Sequence, residues 1–227
     1  MPLFNDILDM IYPRYCMGCD SLLDSDDVVC FDCMDELPYT DFFKHDNNPI
    51  KEIFYGRIII QHGGSLLFYT KESLTQRLIF NLKYENNHHA GKLIGILMAK
   101  ELSSTDWINE IDVIIPMPMH RKKQRVRGYN QATIIAQSLS DNLNIPMNEE
   151  IIIKSIHTET QTHKTREERW QSMQHVFEVK DKNALAGKHI LLVDDVITTG
   201  ASIEACGNKI LSIENTKLSI ATAAYAL

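Results

Sequence analysis

The residues best suited to chemistry lie in one run. Ile190-Leu191-Leu192-Val193 is followed by Asp194-Asp195, and then by Val196-Ile197-Thr198-Thr199-Gly200-Ala201-Ser202. Four consecutive apolar residues read as a buried strand. Two adjacent carboxylates at its end offer acceptors for a pair of vicinal hydroxyls, such as the 2′ and 3′ hydroxyls of a ribose. The turn from Thr198 to Ser202 supplies successive backbone N–H groups, and Gly200 allows close approach. A helix starting near Ala201 adds the positive end of its dipole, so a phosphate fits there. The hydroxyls of Thr198, Thr199 and Ser202 can donate further bonds.

Other readings of an apolar run ending in two acids fare worse. A Walker B strand needs a GxxxxGK loop followed by Ser or Thr, and the chain has none. A response-regulator receiver needs a phosphorylatable Asp on a later strand and several more βα units, with too little chain after Asp195 to build them. A plain core strand followed by a capped helix, its acids facing solvent, is the bland alternative.

Two other clusters stand out. Arg121, Lys122, Lys123, Arg125 and Arg127 place five positive charges within seven residues, with no acid among them. On a chain of net charge −7 this is a local positive spot that attracts phosphate, although a solvated surface run has the same composition. Cys16-x2-Cys19 and Cys30-x2-Cys33 form two knuckles whose four thiolates suit a tetrahedral Zn²⁺. Two disulfides would use the same cysteines but need an oxidising compartment. Met1 to Tyr12 carries Asp6 and Asp9 and no basic n-region, so it does not read as a secretory signal. No apolar stretch reaches the roughly 18 residues of a membrane span, so insertion is not expected. The expected compartment is the cytoplasm, which favours zinc over disulfides. The fifth cysteine, Cys206, falls on the apolar face of a helix and reads as core.

The elements that must position these groups follow from periodicity. Residues 1–40 form a small cysteine module, and Asp41 to Pro49 is polar and reads as a linker. Residues 50–227 form the main domain. Arg57 to His62 and Ser65 to Tyr69, separated by Gly63-Gly64, read as a β-hairpin. Helical spacing covers Ser73 to Lys83, His89 to Leu102, Asn130 to Leu143 and Ala201 to Leu211. Apolar strands are expected at Asp112 to Pro116, Ile151 to Ile156, His175 to Val179, His189 to Val193 and Leu218 to Ala224. This alternation implies an α/β fold, a mostly parallel sheet with helices on both faces. Ligands in such sheets sit at the carboxyl ends of strands.

The run Ile190 to Ser202 resembles the phosphoribosyl-diphosphate motif of type I phosphoribosyltransferases. Met119-His120-Arg121, followed by Arg127-Gly128-Tyr129-Asn130-Gln131-Ala132, is similar to the ComF competence-protein branch, with Tyr129 where Phe is usual. Gln161, Arg169 and Phe177 match the mobile arm of that branch; Ser172 stands where Asn is usual and His157 where Arg is usual. Lys83-Tyr84 matches a Leu-Lys-Tyr string, and the four-Cys module matches at the N-terminus.

This resemblance implies that Asp194 and Asp195 hold ribose hydroxyls, that Thr198, Thr199, Gly200, Ala201 and Ser202 wrap a 5′-phosphate, and that Mg²⁺ accompanies the diphosphate. Pro116 to Arg127 would be the diphosphate loop, with Arg121, Arg125, Arg127, Gly128 and Lys83 as its contacts. Gln161, Lys164 and Arg169 would be catalytic, with Lys164, Arg166 and Arg169 closing over the diphosphate. A solvated helix with charge pairs remains open for that arm. The implied function is binding of phosphoribosyl diphosphate, with possible transfer to an amine or base, linked to DNA uptake and natural transformation. The alternative is a non-catalytic factor that binds single-stranded DNA and takes nucleotide ends in the ribose-phosphate site, beside a competence helicase. No stretch interleaves aromatic with basic residues, as strand stacking would favour. A glutamine-dependent amidotransferase is not supported, because Cys16 lies inside a knuckle and not at an N-terminus.

Overall fold

A computed structural model describes residues 14–23, 27–84, 87–155 and 176–226. Its centre is a four-stranded parallel sheet in the order β1 (Gly63–Tyr69), β6 (Lys217–Ala226), β5 (His189–Ile197), β2 (Val113–Pro116). β5 and β6 are buried on both faces, as the apolar runs require. Period-two alternation sends Leu191, Val193, Ala221 and Ala223 to one side and Ile190, Leu192, Leu218 and Ile220 to the other, each set joining its own apolar cluster.

The first face is covered by α3 (Leu74–Tyr84), α4 (His88–Ser103) and α6 (Gln131–Leu143). α4 and α6 cross closely: a Cβ on Gly95 would stand 2.4 Å from the Ser138 Cβ, and the Ser138 hydroxyl donates to the Lys92 carbonyl at 2.9 Å. The second face carries α2 (Pro49–Phe54) and α7 (Ala201–Leu211). α1 (Phe31–Asp35) belongs to the cysteine module, whose Cys16, Val29 and Cys33 join the first-face cluster.

Three expectations need correcting. Gly63-Gly64 is not a hairpin turn. Both glycines lie inside β1, which pairs in parallel with β6 from Gly63↔Ile220 to Tyr69↔Ala226. They are glycines because of close approach: a Cβ on Gly64 would lie 2.4 Å from the Phe43 ring, and one on Gly63 3.0 Å from Ile60. The segment before them forms no strand; Ile58 instead packs on the second face.

The basic segment is not a loop but a helix, α5 (Arg121–Arg127), capped by the His120 side chain accepting from the Lys122 N–H at 3.2 Å. Finally, the strands predicted near residues 151 and 177 do not join the main sheet. β3 (Ile152–Lys154) and β4 (Phe177–Val179) pair antiparallel with each other beside it.

The polar stretch from Asp41 to Pro49 is held at Asn48. Asn48 is 3% exposed; its Nδ2 donates to the carbonyls of Phe42, His45 and Gly63, and its Oδ1 caps α2 at Ile50 and Lys51. Among the described residues no helix is long and apolar enough to cross a membrane.

Candidate functional site

β5 runs two residues beyond the acid pair, so strand alternation turns Asp194 and Asp195 to different sides at the strand end, where both still line one cavity. Each meets a lysine on its own side. Lys83, at the end of α3, puts its Nζ 2.9 Å from Asp195 Oδ2. Lys154, on β3, lies within electrostatic reach of Asp194. Burial, with the neighbouring Asp195 carboxylate, pushes the Asp194 carboxyl up to about 7, against the opposing pull of the Asp195 N–H, Lys83 and Lys154. Burial and the Lys123 charge in turn lower Lys154, whose ammonium sits 5.3 Å from the centre of the Phe177 ring.

Both acids open onto a cavity of about 1140 Å³ that also receives Lys122, Lys123, Arg125 and Arg127 from α5, and Ser202 from α7. Anionic acceptors on a strand end thus face four cations across one space. Arg121 is separated from this group: it lines a neighbouring cavity of about 470 Å³ with Lys180, Glu149 and Glu150. Gly128 closes α5 as its C-cap and is not part of either wall.

The turn after β5 hinges on Gly200. Gly200 is buried at φ 72, the left-handed region, and a Cβ there would lie 2.7 Å from Ile53 and 2.9 Å from Phe54. It precedes α7 without a side-chain cap, leaving the first N–H groups of that helix open. Thr198, Thr199 and Ser202 are exposed and Ala201 is half-buried; of these, Ser202 lines the large cavity. Gln161, Lys164, Arg166 and Arg169, with His157 and Ser172, lie outside the described residues.

The string Arg127 to Ala132 acts as a joint. The buried Tyr129 donates its hydroxyl to the Leu82 carbonyl, tying down the end of α3 that carries Lys83. Asn130 donates to the Met117 carbonyl at 3.0 Å and caps α6 by accepting from the Ala132 N–H at 3.3 Å. Arg127 donates to Gln131 Oε1 at 2.7 Å and stands 5.4 Å over the Tyr84 ring. Gln131 is 1% exposed, lines the large cavity, and its Nε2 has no hydrogen-bond partner among the described residues.

Sequence reasoning assigned no role to Lys154, Gln131 or Arg57. Gln131 was legible, since it lies in the same string as Arg127. Lys154 and Arg57 carry no local signal, because only the packing of distant elements brings them here.

The four cysteines converge as their spacing predicts: the Sγ atoms of Cys16, Cys19, Cys30 and Cys33 all lie within 4.8 Å of one another. The Cys19 and Cys30 sulfurs are 3.6 Å apart, close to the roughly 3.8 Å edge of a tetrahedron with zinc–sulfur bonds of about 2.3 Å. Each knuckle aims backbone N–H groups at sulfur, with Gly18 and Cys30 donating to Cys16 at 3.3 and 3.2 Å, and Cys33 donating to Cys30 at 3.5 Å. Burial pushes the Cys16 thiol up, but those backbone donors outweigh it and bring it below the usual range. The Ser21 hydroxyl and N–H bring Cys19 down to about 6, whereas burial raises Cys33. All five described cysteines are free thiols. This set can hold a metal such as zinc.

The model of the phosphoribosyl transferase domain matches residues 83–226, from the lysine on Asp195 to the end of β6. Competence protein F of Haemophilus influenzae is 31% identical over 191 residues, covering 83% of this chain and 80% of its own. The chain belongs to the ComF family of phosphoribosyltransferase-like proteins. Another ComF relative, competence protein ComFC of Bacillus subtilis, is 32% identical over 91 residues, 40% of this chain and 35% of its own. DNA utilization protein YhgH of Escherichia coli (strain K12) is 26% identical over 129 residues, so the ComF chain spans 56% of that relative's length. Among solved structures, the B. subtilis glutamine phosphoribosylpyrophosphate amidotransferase aligns with a TM-score of 0.45 and 17% identity, over 63% of this chain and 30% of its own.

Proposed function

We propose that this ComF protein binds phosphoribosyl diphosphate, or the ribose-phosphate end of a nucleotide, in support of DNA uptake. The observation that carries this reading is a single cavity with Asp194 and Asp195 at one wall, the Gly200 turn beside them, and Lys122, Lys123, Arg125 and Arg127 opposite. The acids accept the ribose hydroxyls, the turn and the start of α7 take the 5′-phosphate, and α5 takes the diphosphate. Where transfer occurs, these cations stabilise the departing diphosphate, and its acceptor is an amine or base. Relatives named for competence and DNA utilization support the link to DNA uptake.

A Mg²⁺ ion accompanying the diphosphate would draw on Asp194 and Asp195, the two carboxylates among the described residues of the cavity wall, and would supply charge neutralisation for the diphosphate. Zinc in the four-Cys site has a structural role. Titration calorimetry with phosphoribosyl diphosphate tests the reading: binding should be lost in Asp194→Asn with Asp195→Asn, and unchanged affinity would refute it.

One observation favours the strand-binding alternative. The fold brings aromatic rings beside the basic helix, although the sequence does not interleave them. Phe80 and Tyr84 are 49% and 64% exposed, their ring centres 4.9 Å apart, with Arg127 over Tyr84. Bases of a single strand whose terminal nucleotide occupies the cavity can stack there. In this reading a competence helicase is a candidate partner.

A further inference from the structure

We infer that Arg57 is the positioning residue of the phosphate turn, acting from behind it. The inference rests on the ribose-phosphate reading of that turn. Arg57 follows α2, far from the turn in sequence, yet its Nη1 donates to the Thr199 carbonyl at 2.8 Å and to the Ile53 carbonyl at 3.0 Å. Its Nε donates to Glu204 Oε2 at 2.9 Å, and Nη2 bonds the same oxygen.

The consequence for the turn follows from peptide geometry. In a trans peptide the carbonyl and the next N–H point in opposite directions. No cis bond is present among the described residues, so an outward Thr199 carbonyl held by Arg57 aims the Gly200 N–H inward. That N–H lies at the mouth of α7, where the anion is expected. Ile53 and Phe54 fill the space a Gly200 Cβ would take, and buried Asn48 anchors the start of their helix, so the support behind Arg57 is rigid.

Arg57 also answers a charge problem. Glu204 lies in the first turn of α7, where an acid competes with a bound phosphate for the positive helix end. Its pairing with Arg57 turns that charge away from the anion. A lysine keeps the charge but loses the fork that reaches the Ile53 and Thr199 carbonyls and Glu204 together.

The test is calorimetry of the full chain with ribose 5-phosphate and, separately, with inorganic diphosphate, alongside amide NMR of Gly200. Arg57→Ala and Arg57→Lys should each weaken ribose 5-phosphate binding by roughly tenfold or more, as loss of a charge-assisted hydrogen bond predicts. Diphosphate affinity should hold within twofold, and the Gly200 amide shift on adding ribose 5-phosphate should shrink. Glu204→Gln, which keeps the carbonyl bonds, should lose less than either. Equal ribose 5-phosphate affinity in wild type and Arg57→Ala overturns the inference while leaving the ribose-phosphate site intact. Parallel loss of both ligands overturns it as general unfolding, checked by the melting curve. Absence of ribose 5-phosphate binding in wild type overturns the underlying site reading, and this inference with it.

Discussion

Lys83 Nζ stands 2.9 Å from Asp195 Oδ2, so a lysine on the wall of the large cavity is paired with one member of the acid pair. Burial first, and the neighbouring Asp195 carboxylate second, raise Asp194 to about 7. Lys83 is one of the charges that oppose that rise. Lys83→Met should therefore move the Asp194 titration further up, whereas Asp195→Asn should bring it down. Carboxyl carbon NMR across pH 4 to 9 checks both directions, and a lysine without this role would leave the curve in place.

The raised Asp194 also sets a pH dependence of stability. A carboxyl whose folded pKa lies above its unfolded value binds more protons in the native state between the two values. Stability then falls as pH rises from about 4 to about 7, by at most about 1.4 kcal/mol per pH unit. Asp194→Asn removes that slope, so its melting temperature should gain on wild type as pH increases. Parallel melting curves from pH 4.5 to 8 would expose a missing effect. Ligand binding runs the other way: ribose hydroxyls donate to the charged carboxylate, so affinity for phosphoribosyl diphosphate should improve between pH 6 and 8.

Much of this site was legible because its pieces are local. The run from Ile190 to Ser202 specifies a buried strand, an acid pair and a tight turn within thirteen residues, and all three form there. The cysteine knuckles are equally local. What stayed hidden depends on contacts between distant segments. Gly63-Gly64 carries the signature of a hairpin, yet Phe43 packs against the strand there and excludes any side chain. Residues 151 to 179 carry strand propensity, but propensity does not say which sheet a strand joins, and β3 and β4 chose each other. Lys154 reaches the site only through that pairing, and Arg57 only through the packing of α2 on the Gly200 turn.

The cysteine cluster predicts a metal-dependent thiol count. With zinc bound, metal analysis should return one zinc per chain and slow reaction of Cys16, Cys19, Cys30 and Cys33 with a thiol reagent. A chelator should release four fast thiols, while Cys206, 0% exposed within the second-face core, stays slow until the chain unfolds. Because Cys16, Val29 and Cys33 join the first-face core, chelation should also lower the melting temperature of the main transition. A chelator that leaves both thiol count and melting curve unchanged would remove the metal from the account.

The charges of the basic helix divide between two cavities, and the division can be measured. Lys122, Lys123, Arg125 and Arg127 line the cavity that holds the acid pair, whereas Arg121 lines the neighbouring one with Glu149 and Glu150. Equal contributions from all five charges are what a solvated surface run would give, since screened charges on one short helix act on a distant anion alike. A built diphosphate site treats them unequally. Arg125→Gln should weaken inorganic diphosphate binding by about three- to tenfold, the scale of one charge-assisted contact, and reduce its salt dependence. Arg121→Gln should change affinity by less than twofold at the same ionic strength. Arg127→Gln should do more than remove a charge, because Arg127 also bonds Gln131 and covers the Tyr84 ring. Its loss should be visible as a larger Tyr84 chemical-shift change than Arg125→Gln produces. Calorimetry at 50 and 200 mM salt on the three variants decides the matter: equal losses for Arg121 and Arg125 would mean that net charge, and not the shape of this cavity, governs diphosphate binding.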